Sequence, residues 1–430
     1  MNGVESKKNP GSGTFNANKP FGNNPYIQIP PDVDRNPFRL IWIDILSVSQ
    51  YGRLLPKIVI PLRPYISSKL DELSATWPNI RDILLHTVLI LSQLFLIITL
   101  PFMTLLYWFV PGFVHIAFYI VFAVSTLIVT RLLNGGPRTE CLVGLPQGQA
   151  PVNDESELWF FINGIATGEN WLQSNLNLLA STFQREIVGI HNPTKGLLFD
   201  LIECLIQRDL DYKTQDIRQG RMQIRSALSS PRTEKVVLIL HSQGGIEGSS
   251  ILDWLLADLS HTIVSKLEIF TFGNAARHFN NPLLSASESQ CSSTSESHPK
   301  TNGGTGGGRG PRVIKYIEHY ANKSDFVANI GVLNFTSPQA QPYADGNAFA
   351  GHVFVRVGSG HLLNMHYLDA MFTMVNGRVE EGNEFMDSSI GDTNGKEIAA
   401  DVNGVGGRKK MRLKDISRLW LYRNGGKPKD

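Results

Sequence analysis

Three cysteines in 430 residues are too few, and too odd in number, for a disulfide framework. Cys141, Cys204 and Cys291 stand far apart, with no Cys/His spacing of the kind that holds zinc. A Gly-rich phosphate loop is missing too, so neither a metal nor any other cofactor is expected. No recognised nucleic-acid module is present, and nucleic acid is not an expected partner. The chain does not open on a basic stretch with a cleavable site, which speaks against a secretory signal peptide. The longest absence is one of charge. From Ile83 to Thr130, 48 consecutive residues include no Asp, Glu, Lys or Arg.

A soluble core helix seldom runs that far without charge, so this run reads as membrane-embedded. Pro111-Gly112 breaks it into two halves, which predicts a hairpin of two transmembrane helices over 83–133, and Pro101 is expected to kink the first. A re-entrant hairpin in one leaflet fits the same residues. Arg53, Lys57, Arg63, Lys69 and Arg81 precede the run, and Arg131 and Arg138 follow it. Basic flanks at both ends predict that the two sides of the hairpin face the cytosol. The sequon at Asn322 fits this weakly, because a glycan there would crowd the loop of Asp325 discussed next.

What is present is a catalytic-looking turn. VVLILHSQGG (236–245) is a short buried strand that meets a serine and two glycines, and IEGSSILDWLLADL then recurs at helical spacing. Strand, abrupt Ser and helix make a nucleophile elbow, with Ser242 as nucleophile. Downstream, KLEIFTFGNAARHF (266–279) reads as the next strand and a Gly turn. A further strand near 312–319 ends in a polar loop with Asp325. HVFVRV (352–357) then runs into GSGH, which places His361 on a turn before an apolar helix. His366, five residues on, lies inside that helix and is the alternative base. Upstream, ELWFFING (157–164) ends a strand at Asn163-Gly164. The backbone N–H groups of Gly164 and Ile165, with that of Gln243, are the candidate oxyanion donors.

These segments resemble the α/β-hydrolase superfamily, and the TFG turn and N-x-x-D-x-V loop are similar to those of class 3 lipases. Leu240 stands where the superfamily's G-x-S-x-G pattern has its first Gly, and Asn163 where a His is frequent. The resemblance covers about residues 156–375. It implies a mostly parallel doubly wound α/β sheet with a Ser242–Asp325–His361 triad. It further implies a serine hydrolase that cleaves a carboxylic ester of a lipid-like substrate through an acyl-enzyme. An acyltransferase or thioesterase on the same scaffold is an alternative, as is a non-catalytic membrane protein that uses the fold for binding.

The expected organisation is a disordered N-terminus (1–37), a juxtamembrane segment (38–82), the hairpin (83–133) and a hydrolase domain (150–377). That domain carries a Ser/Gly-rich insertion at 284–311. Residues 35–62 suit either the membrane surface or a strap packed on the domain. From Gly407 onward nine Lys/Arg face Asp415 and Asp430, so 378–430 is expected to be a flexible basic tail that anionic lipid attracts. The expected location is an integral membrane one, endoplasmic reticulum or lipid droplet, with the catalytic domain facing the cytosol.

Overall fold

The computed structural model describes residues 20–21, 36–62, 68–136, 141–147, 151–152, 154–284, 311–336, 349–383, 385–389, 399–401, 408–410 and 412–429. Nearly all of the expected disordered N-terminus, and the Ser/Gly-rich insertion but for its two end residues, lie outside the described residues.

In chain order, β1 (Pro20–Phe21) and α1 (Pro37–Tyr51) precede two long helices, α2 (Trp77–Leu106) and α3 (Gly112–Asn134). Then come β2 (Leu142–Gly144), β3 (Glu157–Ile162), α4 (Glu169–Phe183), β4 (Ile187–Ile190), α5 (Leu197–Asp209) and α6 (Gln215–Ser229). β5 (Lys235–His241), α7 (Gly244–Asp258), β6 (Leu267–Phe272), β7 (Tyr316–Asn322) and β8 (Gly351–Arg356) complete the sheet. Its order is β1-β8-β7-β6-β5-β3-β4-β2. The six inner strands are parallel, while β1 and β2 close the edges antiparallel. This is a mixed α/β fold with a mostly parallel sheet, preceded by two apolar helices long enough to cross a membrane.

Both faces of the sheet are covered, as parallel strands require. Along β5, Leu238 and Leu240 join Ile217, Ile224, Ile251 and Leu255 on one side. Val237 and Ile239 join Leu172, Leu176, Leu179 and Phe183 on the other. The chain goes from β3 outward to β4 and returns beyond β3 as β5, so the strand order reverses between β3 and β5. A crevice opens at the carboxyl ends of strands where that reversal occurs. The register keeps those ends level: Ile162 is opposite Leu240, His241 opposite Phe272 and Asn322 opposite Arg356.

The hairpin is present, with its turn at residues 107–111, as the Pro-Gly pair predicts. α2 runs through Pro101 to Leu106. Of the two readings of residues 35–62, the structure shows one face of α1 packed on the domain. Its Asp44 is buried against the guanidinium of Arg277 at 2.8 Å and of Arg208 at 3.2 Å. The other side of α1 leaves Phe38, Trp42 and Ile45 exposed.

The flexible basic tail is corrected by the structure for residues 412–429. Leu413, Leu419, Trp420 and Tyr422 are core residues on the α4 side of the sheet. The Arg418 side chain pairs with Glu268 at 2.9 Å, and the Glu318 carboxylate accepts the N–H of Arg418 and of Leu419 at 2.6 and 3.1 Å. Arg412 and Lys414 meet Asp387, and Lys427 meets Asp154. A count of charge along the chain sees only the basic partners, because the acids lie elsewhere in sequence. Trp420→Ala is therefore expected to cost about 3–5 kcal/mol, as truncation of a large buried aromatic does. Chemical denaturation of the detergent-solubilised chain measures this; a loss within about 0.5 kcal/mol would belong to a surface residue instead.

Candidate active site

Ser242 leaves the end of β5 with φ +57°, in the left-handed region where a residue with a side chain is strained. Its N–H donates to the Phe272 carbonyl at 3.1 Å, and its own carbonyl accepts the N–H of Gly245 and of Ala275. The sharp turn brings α7 hard against β3. A Cβ at Gly244 would stand 2.4 Å from the Ile162 carbonyl oxygen, so only glycine fits two places after the serine. Leu240, in place of the usual first Gly, is accommodated by Gly248 one turn into α7. A Cβ at Gly248 would stand 2.3 Å from Leu240 Cδ1. The departure from G-x-S-x-G is thus matched by a glycine six residues after the serine, a signal that reading the motif alone passes over.

Asp325 and His361 come together beside this turn. Asp325 caps the short helix Phe326–Ile330, accepting the Val327 N–H at 2.8 Å. Its other oxygen lies 2.8 Å from His361 Nδ1 and accepts the Tyr367 hydroxyl at 2.6 Å. Burial opposes ionisation of Asp325, but His361, Tyr367 and the Val327 N–H outweigh it and hold the carboxyl below its usual value. An ionised Asp325 calls for a proton on His361 Nδ1, which leaves Nε2 free to accept one. That Nε2 is buried and has no hydrogen-bond partner among the described residues. Gly273, of the TFG turn, has φ +53°, and a Cβ there would come within 2.8 Å of Asp325 Oδ2 and His361 Nδ1. Glycine at 273 is what lets the pair close.

His366 has a different situation. Its Nδ1 accepts the Leu362 N–H at 3.1 Å and its Nε2 lies 2.8 Å from the Pro61 carbonyl. Burial above all pushes its pKa down to about 4. Both nitrogens are engaged in holding the loop, so the geometry favours His361 over His366 as a proton acceptor.

Two residues at this site carried no sequence signal for a role. Tyr367 is buried in an apolar stretch, and only its contact with Asp325 distinguishes it. The ring of His241 stacks on that of His361 with centroids 4.8 Å apart, and its Nε2 meets the His361 carbonyl at 2.8 Å. Burial, then the charge that His361 can carry, lower the His241 pKa to about 3. A neutral His241 donates through Nε2–H and fixes the backbone beneath the neighbouring imidazole.

The loop after β3 lies over the serine. A Cβ at Gly164 would stand 2.5 Å from Ser242 Cβ and 3.0 Å from its Oγ. Asn163 ties this loop to the next, accepting the Asn192 N–H and donating to the Asn192 carbonyl, both at 2.9 Å. The Gln243 side chain is held between Asn192 and Gln207. Among the described residues no acceptor takes the backbone N–H of Ile165 or of Gln243. Asn163 thus organises the loops instead of supplying a ring nitrogen.

A strap covers the site. The Ile58 carbonyl accepts the His361 N–H at 2.9 Å, and the Ile60 carbonyl accepts the Ser359 hydroxyl at 3.1 Å. Ser242 is only 3% exposed and His361 6%. A groove of 1270 Å³ lies apart from the serine, between the end of α3 and α6, lined by residues such as Arg131, His191 and Gln219.

No family model matches this chain, and neither a curated protein nor a solved structure is significantly similar to it.

Proposed function

We propose that the chain is a membrane-associated serine hydrolase of the α/β-hydrolase type, with a Ser242–His361–Asp325 triad that cleaves a carboxylic ester of a lipid-like substrate. One observation carries this reading. A strained serine at the strand-order reversal follows His241, whose ring stacks on that of His361; His361 has its Nδ1 held by a buried carboxylate while its Nε2 has no hydrogen-bond partner among the described residues, Ser242 Oγ included. In this mechanism His361 removes the Ser242 proton as Oγ attacks the ester carbonyl. The Ile165 and Gln243 N–H groups receive the developing oxyanion, and His361 returns the proton to the leaving alcohol. Water then repeats the sequence on the acyl-enzyme. The two apolar helices support attachment to a membrane, and the basic flanks support a cytosolic catalytic domain, at the endoplasmic reticulum or a lipid droplet.

A fluorophosphonate probe tests the reading. The wild-type chain is expected to be labelled, with the adduct on the peptide that holds Ser242. A chain that takes no label and leaves lipid esters uncleaved would be a binding protein and not a hydrolase.

A further inference from the structure

The polypeptide between α1 and the hairpin runs over the row of loops that holds the site. After Ile58 and Pro61 cover the His361 loop, Glu72 accepts the N–H of Asn364 and of Met365 at 2.9 and 3.2 Å. Asn79 Oδ1 then accepts from Asn170 and Trp171, at the start of α4. Gln93 reaches the loop after β4, donating to the Lys195 carbonyl at 2.8 Å and accepting the Leu198 N–H at 3.2 Å. These contacts of the described residues step from the β8 end of the sheet to the β4 end, each at the carboxyl edge of the strands. The hairpin is therefore rooted on the same edge as Ser242.

Its root also marks how much of it stands clear of the domain. Among the described residues the last polar tie from α2 to the domain is Gln93. On α3 the ring of Phe122 meets that of Phe199, centroids 6.4 Å apart. Both ties fall on one short stretch of the domain, residues 195–199, though they come from opposite arms. Beyond them lie residues 94–106 of α2 and 112–121 of α3. At 1.5 Å per residue these arms are about 20 Å and about 15 Å long. Their outward side chains are apolar and exposed, among them Phe95, Phe102, Leu105, Ile116 and Val121. Below the ties Leu84, Val88, Leu91, Val124 and Leu127 are exposed too, but there α2 buries Asp82, His86, Leu89 and Gln93 on its other face. The hydrocarbon core of a bilayer is about 30 Å thick, and neither arm is long enough to cross it.

We infer that the hairpin enters one leaflet of the bilayer only, and that the carboxyl edge of the sheet, with Ser242, rests against the surface of that leaflet. Polar ties at the root sit where head groups lie, and the tip at Val110–Pro111 ends inside the hydrocarbon. The inference rests on the membrane attachment proposed above and deepens it: an acyl ester anchored in the same leaflet faces the catalytic edge.

Site-directed labelling decides the depth. The full-length chain, with its three cysteines replaced by serine and carrying Val110→Cys, is made in sealed microsomes and treated with a membrane-impermeant maleimide. Gly136→Cys, just past the end of α3 on the domain side of the root, is the control and is expected to react in sealed vesicles. Position 110 is expected to stay unlabelled in sealed vesicles and in vesicles opened by a pore-forming agent. It is expected to react only once detergent dissolves the bilayer, while the protein resists carbonate extraction. Labelling of position 110 in opened but not in sealed vesicles would mean that the hairpin spans the bilayer, and would overturn the inference while leaving attachment intact. Release by carbonate together with labelling in sealed vesicles would remove membrane attachment itself.

Discussion

Replacing Ser242 or His361 by alanine is expected to lower kcat/KM on a lipid ester by about 10⁴- to 10⁶-fold, the loss typical of a triad member. In the proposed mechanism the two side chains act as one unit, the hydroxyl attacking only while the imidazole takes its proton. The double variant should consequently be little worse than either single one. Ser242→Ala leaves the left-handed turn as strained as before, because both residues carry a Cβ, so the fold should survive. His366→Ala provides the contrast. Its ring holds the Leu362 N–H and the Pro61 carbonyl, so its loss should loosen the strap and lower thermal stability. Turnover at saturating substrate should fall by about tenfold at most, as expected for a group outside the proton relay. Single-turnover kinetics of the three variants, with melting temperatures alongside, measure this. An active His361→Ala chain beside a dead His366→Ala chain would exchange their roles.

Gly273→Ala is expected to be nearly as damaging, although the residue bears no chemistry. The backbone at φ +53° costs an L-residue roughly 1–2 kcal/mol. The greater effect comes from the methyl group, which would meet Asp325 Oδ2 and the His361 ring at 2.8 Å and force them apart. Loss of that orientation should reduce turnover by about 10³- to 10⁴-fold, close to what disabling a triad carboxylate does. Gly377→Ala separates the two causes. It has φ +74° with nothing within 4 Å of the added Cβ, so it should show the backbone cost alone and full activity. Equal activity of the Gly273 and Gly377 variants would mean that the Asp325–His361 contact does not orient the base.

Much of this arrangement was legible in the chain because it is local. The β3 to β8 strands follow from short β-branched and apolar runs, and the elbow from a serine set between a strand and a helix with glycine two places on. The hairpin follows from a charge-free run interrupted by Pro-Gly. In each case neighbours in sequence supply the physical cause, whether periodicity, turn geometry or the cost of charge in hydrocarbon. The order Ser, Asp, His after the parallel strands β5, β7 and β8 likewise lines the three loops up on one edge once the sheet forms.

Other features depend on partners far apart in sequence, and only tertiary structure decided them. Arg418 looks like part of a solvated basic tail until Glu268 meets it across 150 residues. Leu240 looks like a misfit until Gly248 is seen beneath it. The turn position already favoured His361 over His366 in the sequence, and the Asp325 contact on one and the Pro61 contact on the other give that preference its geometry. The strap over the site, the tie from Tyr367 to Asp325 and the rooting of the hairpin at residues 195–199 are of the same kind. Composition and spacing along a chain record which groups it owns; which of them meet is determined by burial, since a buried charge or amide must find its partner wherever the fold has brought one.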